Sequence, residues 1–143
     1  MQSRATATWE GDLLTGGGTT TLGTGVAPPL PVSWPSRTEA AEGKTSPEEL
    51  IAAAHAACYS MAFANGLSGR GFVPEHLDTS AVATFEKVEA GWRLTTMALS
   101  VTGTVPGIGA DEFQEAAAAA KDGCPVSNAL KGNVNITIEA TLA

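Results

Sequence analysis

From Leu50 to Ala64 the chain reads LIAAAHAACYSMAFA, apolar almost all round a helix, and on either side of this stretch the periodicity changes. An apolar run of helical length predicts a helix enclosed by protein on most sides, with its alanines letting neighbours approach closely. Ser46-Pro47-Glu48-Glu49 announces its start. Ser46 can cap, Pro47 suits the first helical position, Glu49 completes a capping box, and both acids favour the positive end of the helix dipole. The helix is expected to end near Leu67. Residues 4–10 alternate small apolar with polar, and Thr19 to Leu22 follows a Gly16-Gly17-Gly18 turn, so both read as antiparallel strands. Ser80 to Val88 and Trp92 to Thr102 alternate likewise and meet at Glu89-Ala90-Gly91, a hairpin. Asp111 to Lys121 reads as a second helix closed by Gly123; Cys124-Pro125 opens a short helical stretch through Leu130, and Val134 to Leu142 alternates as a last strand.

Residues 23–44 break the pattern with Pro28-Pro29-Leu30-Pro31 and Trp34-Pro35, and are expected to form an ordered arm or loop. A stretch of that kind inside a domain is usually functional or wrapped around a partner. The order of elements predicts one α+β domain over residues 1–143, an antiparallel sheet packed around a long central helix, with no internal repeat.

Composition narrows the function. A chain of 143 residues, 43% hydrophobic and 16% charged, buries roughly 70% of its unfolded surface without help from metal or disulfide. Few of its apolar residues are large, so the core is expected to be built mostly of small side chains. A net charge of −7 argues against nucleic acid or anionic membrane as the main partner. No unbroken run of about 18 apolar residues occurs, and Met1-Gln2-Ser3-Arg4 lacks the layout of a secretory signal, so a cytoplasmic location is expected. In that reducing compartment, two cysteines are more often catalytic, redox-sensing or inert than structural.

Taken alone, Cys58 resembles the small buried hydrophobe that free cysteine usually is. Burial among alanines would raise its pKa unless a cation is supplied. Cys124, between Gly123 and Pro125, stands where a helix N-terminus favours thiolate, so pattern alone nominates it as the more acidic thiol. Arg37 is the candidate cation for Cys58, although a loop arginine is ordinarily just solvated. Capping accounts for Glu48 and Glu49. Glu48 lies about 15 Å up a straight helix from Cys58, so any role at that sulfur must run through Arg37 or a partner subunit. His55, one turn before Cys58, raises a cysteine–histidine nucleophile as an alternative, though adjacent turns rarely supply an aligned base and its orienting group. The spacing of His55, Cys58, His76 and Cys124 matches no compact zinc finger.

The segments SRTEAAEGKTSPEELIAAAHAACYSMAFA (36–64) and KDGCPVSNAL (121–130) resemble the OsmC/Ohr family of bacterial hydroperoxide-reducing proteins, with HAAC and Ser-Arg closer to the OsmC branch. The resemblance implies an OsmC-like fold and a peroxidase of organic hydroperoxides in peroxide or osmotic stress defence, with neither metal nor cofactor. It further implies an intertwined homodimer with active sites at the subunit interface. Cys58 becomes peroxidatic and Cys124 resolving, against the pattern-only ranking, and the two form a disulfide that a dithiol reductant, lipoyl-type or other, reopens. Arg37 matches the arginine that stabilises thiolate and peroxide. Glu48 matches the glutamate that orients this arginine, expected here to act across the dimer. Met61, Phe63 and arm residues near Trp34 are expected to line an apolar pocket that favours alkyl peroxides. The competing reading on the same fold is a non-catalytic redox-sensing or small-ligand-binding module.

Overall fold

The computed structural model describes every residue from Met1 to Ala143. Its backbone divides into two units, Met1–Leu50 and Ile51–Ala143.

In the first unit, β1 (Ala5–Glu10), β2 (Gly17–Leu22) and β3 (Leu30–Val32) form an antiparallel sheet in that order. The glycines opening β2 are required by close approach: a Cβ on Gly18 would lie 2.1 Å from the Thr8 carbonyl oxygen. The proline-rich arm is more regular than its composition predicts. Pro31 sits in β3 at the sheet edge, where a missing N–H costs no ladder bond, and Pro35 opens a single helical turn, α1 (Pro35–Thr38). The long helix, α2 (Pro47–Gly69), starts as expected at Pro47. Ser46 Oγ accepts the Glu49 N–H at 3.1 Å, while the Glu49 carboxylate accepts the Thr45 hydroxyl at 2.6 Å, one residue earlier than a capping box would place it.

In the second unit, β4 (His76–Val88) and β5 (Gly91–Thr104) form the expected hairpin, with Gly91 at φ +113. The helices α3 (Ala110–Gly123) and α4 (Pro125–Leu130) precede β6 (Asn135–Leu142). β6 pairs with β5 in parallel, from Thr96↔Asn135 to Gly103↔Leu142. The architecture is α+β as predicted, yet this sheet is mixed rather than antiparallel throughout. Alternation marks a strand without giving its direction, and the parallel partner needs the crossover that α3 and α4 provide.

The core of this unit joins Tyr59, Phe63 and Leu67 of α2, spaced four apart on one face, to Leu99 and Val101 of β5 and Phe113 of α3. Phe63 meets Phe113 edge-on at 5.1 Å between ring centroids. Small side chains make up half of this core, as expected, and Ala116, Ala117 and Ala120 of α3 give room to the rings of Tyr59, Phe63 and Phe113. The Tyr59 hydroxyl, otherwise stranded, donates to the Ala117 carbonyl at 3.0 Å. By length and composition α2 would suffice to cross a membrane; here its Tyr59, Phe63 and Leu67 are fully enclosed by protein.

Gly103 marks the tightest approach of sheet and helix. A Cβ there would lie 2.8 Å from the Phe113 ring and 2.9 Å from Leu77. Gly103→Ala is expected to cost about 1–3 kcal/mol, seen as a lower urea midpoint at unchanged slope.

Candidate active site

Two groups of chemistry-bearing residues are assembled, one in each unit. In the first unit the turn α1 carries Arg37 back over the first turn of α2. Its Nε and one terminal nitrogen donate to the two carboxylate oxygens of Glu48 at 3.2 and 2.6 Å, a two-pronged grip. Glu48 is 8% exposed, and the guanidinium lies over the Trp34 ring, 5.3 Å from its centroid. Capping alone therefore does not account for Glu48. The grip of Glu48 on Arg37 forms within one chain. The helix-rise argument constrained Glu48 only towards Cys58 and left Arg37 within reach. Arg37 is the charged residue of a pocket of about 390 Å³ whose walls include Trp9, Leu13, Val32 and Trp34.

The second unit brings the two cysteines together. Cys58, midway along α2, is partly exposed; Cys124 is fully buried, with extended backbone (φ −72, ψ 122) as the N-cap of α4 and Pro125 next. Both are free thiols, near enough for each to shift the ionisation of the other. The first amides of α4 favour the thiolate forms, that of Val126 at both cysteines and that of Ser127 at Cys124, although the Cys124 side chain makes no capping hydrogen bond. Cys58 opens onto a cleft of about 560 Å³ walled by Met61, Ala62, Asn65, Arg70 and Pro125 among others. Met61 lines it as predicted. Phe63 does not, being wholly inside the core, and Trp34 belongs to the pocket of the first unit.

The electrostatics favour the pattern-only ranking of the thiols. Burial pushes the Cys58 thiol up, the Val126 amide opposes this, and the neighbouring Cys124 adds to the rise. Burial alone would also push Cys124 up. Hydrogen bonds from the Ser127 amide, the Cys58 thiol, the Ser127 hydroxyl and the Val126 amide outweigh it, and the net direction is down. Of the two thiols, Cys124 is therefore the readier to lose its proton.

His55 is fully buried, and its Nε2 lies 2.8 Å from Ser127 Oγ rather than at Cys58; Nδ1 has no partner. The cysteine–histidine alternative therefore lacks its hydrogen bond. His76 stands exposed at the start of β4. Sequence reasoning missed Ser127. Its position three residues after Cys124, where a helix N3 amide faces the N-cap side chain, is the local signal that could have found it.

Known proteins resemble this chain in sequence and in fold. A family model described as OsmC-like protein matches residues 40–139. The chain is 43% identical over 136 residues to "Peroxiredoxin OsmC" of Escherichia coli (strain K12), covering 95% of this chain and 94% of that protein. Two solved structures share the fold. The organic hydroperoxide resistance protein OhrB of Bacillus subtilis matches with a TM-score of 0.73 at 24% identity, covering 96% of this chain and 98% of that one. An organic hydroperoxide resistance protein OsmC from Legionella pneumophila matches with a TM-score of 0.73 at 23% identity, covering 96% of each chain.

Burial holds the His55 pKa below 6.5, so the folded state favours neutral imidazole. As pH falls below 6.5 the unfolded chain binds this proton first. Stability should therefore be fully present above that value and decline towards the lower folded pKa. Urea titrations of the reduced protein at stepped pH should show this slope, and His55→Gln should lose it.

Proposed function

The chain belongs to the OsmC-like protein family, and on that premise we propose that it is a cysteine-based hydroperoxide reductase acting on organic hydroperoxides. The observation that carries this reading is the meeting of two free thiols, one open to an apolar cleft and the other sealed behind it. A peroxide can reach Cys58 alone. The Cys58 thiolate attacks the terminal oxygen of ROOH; the O–O bond breaks, Cys58 becomes a sulfenic acid, and RO⁻ takes up a proton to leave as alcohol. Cys124 thiolate then attacks the Cys58 sulfur, the S–O bond breaks, and hydroxide leaves to become water. Two thiols are oxidised to one disulfide and one peroxide is reduced. A small dithiol, lipoyl-type or other, reopens the disulfide by exchange, as the reducing cytoplasm would allow.

Attack by Cys58 requires the loss of its proton, for which the neighbouring Cys124 is the acceptor; RO⁻ then takes that proton to leave as alcohol, which returns Cys124 to thiolate for the second step. Arg37, oriented by Glu48, is proposed to favour the anion on Cys58 and to steady the peroxide oxygen that gains charge in the transition state. Glu48 precedes Cys58 by about 15 Å along α2, which supports delivery of Arg37 and Glu48 together from the second copy in a homodimer. The apolar wall of the cleft, Met61 and Ala62 among it, supports alkyl peroxides over hydrogen peroxide.

Reduced protein mixed with cumene hydroperoxide should consume one equivalent and lose both free thiols, and Cys58→Ser should consume none. Consumption lost only in Cys124→Ser would reverse the two roles. Absence of turnover with any dithiol would leave a sensing or binding module instead. Arg37→Ala should slow peroxide reduction about a hundredfold with the far-ultraviolet circular dichroism unchanged; an unaltered rate removes Arg37 from the site.

A further inference from the structure

We infer that the cleft by which peroxide reaches Cys58 also admits the reductant, and that the dithiol reopens the disulfide by attacking the sulfur of Cys58, with Cys124 as the leaving group. The inference rests on the disulfide assigned above and decides which of its two sulfurs is attacked.

The geometry lies wholly within the second unit. Cys58, Ala62 and Gly66 follow one another at four-residue spacing along α2 and form one wall of the cleft of about 560 Å³; Ala116, Ala119 and Ala120 of α3 stand in the other. Small side chains on both walls keep the way to the Cys58 sulfur open. Cys124 takes no part in the cleft, although its neighbours Gly123 and Pro125 do. The smaller cavity of about 160 Å³ beside Lys121 and Ser127 does not reach it either. Cys124 is fully buried and belongs to the same core as Tyr59 and Phe113. Exchange requires the entering thiolate to touch the sulfur it attacks. A dithiol cannot touch an atom that water does not reach, so attack at Cys124 would first have to open the core.

The chemistry closes in two steps. One thiolate of the dithiol forms a bond to the Cys58 sulfur, the bond between Cys58 and Cys124 breaks, and its electron pair leaves on Cys124. The second sulfur of the dithiol, having lost its proton, then attacks the first; the bond to Cys58 breaks, and Cys58 departs as thiolate. The dithiol is oxidised to a cyclic disulfide, the protein disulfide is reduced, and the two protons given up by the dithiol restore the two cysteines. Helix-end amides that favour thiolate at Cys124 also make it the better leaving group. The two half-reactions thus share one entrance, and the alcohol must leave before the dithiol can enter.

Diamide can form the disulfide without peroxide, which separates this inference from the peroxidase reading. The oxidised chain is mixed with excess cysteamine, a monothiol, quenched in acid at successive times, digested and mapped by mass spectrometry. At the earliest times cysteamine on Cys58 with a free thiol at Cys124 should exceed the reverse pattern by about tenfold or more. Cysteamine first on Cys124, or equal amounts on both, would overturn the inference even if peroxide is consumed; a chain that diamide leaves as two thiols would remove its premise. A second variant tests the entrance. A Cβ on Gly66 would meet no atom within 4 Å, and a helix interior favours leucine over glycine, so Gly66→Leu adds bulk to the cleft without cost to the fold. It should slow dithiol reduction of the diamide-made disulfide and consumption of cumene hydroperoxide alike, each about tenfold. Disulfide reduction at the parent rate in this variant would assign the dithiol another way in and refute the shared entrance.

Discussion

The closeness of Cys58 and Cys124, near enough for each to shift the ionisation of the other, makes demands on the three helices of the second unit. α2 must lie close to the junction of α3 and α4, which the alanines of α3 permit and the ring of Tyr59, next to Cys58, fixes in register. Tyr59 is locked at both ends: its ring lies 5.8 Å from that of Phe63, and its hydroxyl is held by the Ala117 carbonyl. Pro125 in the first turn of α4 begins a new helix directly after Cys124, so the amides of Val126 and Ser127 have no partner within the helix and favour a thiolate at Cys124. The packing that stabilises the fold and the placement of the reacting atoms are the same set of contacts.

This arrangement separates two properties that a nucleophile is usually thought to combine. The sulfur open to the cleft is the less acidic, and the more acidic one is shut away. The proposed reaction reconciles them by moving one proton between neighbours, a move that any cation brought to Cys58 would favour. The first unit, for its part, holds a cation in a fixed position. Arg37 is gripped at two points by a nearly buried Glu48 and backed by Trp34, so its side chain has surrendered much of its rotamer freedom before any ligand arrives.

The sequence was most legible where structure is decided locally. Ser46-Pro47-Glu48-Glu49 places the start of α2 without help from distant contacts, and alternation on either side of Glu89-Ala90 places the hairpin. Proline misled in the arm, since both Pro31 on a sheet edge and Pro35 in a first turn occupy positions where a missing N–H costs nothing. An apolar surface all round α2 has no face to read, so it could not tell the buried Phe63 from the cleft-lining Met61. The low acidity of Cys58 and the helix-end character of Cys124 followed from their immediate neighbours. Their roles came from resemblance, and the contact of His55 with Ser127, 72 residues apart, had no signal in either segment.

The parallel pairing of β6 with β5 has a bearing on how the molecule matures. A strand that runs alongside its neighbour can join only after the chain has doubled back across the sheet, and the returning stretch is the one that bears Cys124. The second sulfur is therefore threaded into place by the last topological move of folding. Until that move is complete, a newly made chain has a thiol at position 58 with no companion, and the meeting of the two sulfurs is a property of the finished topology.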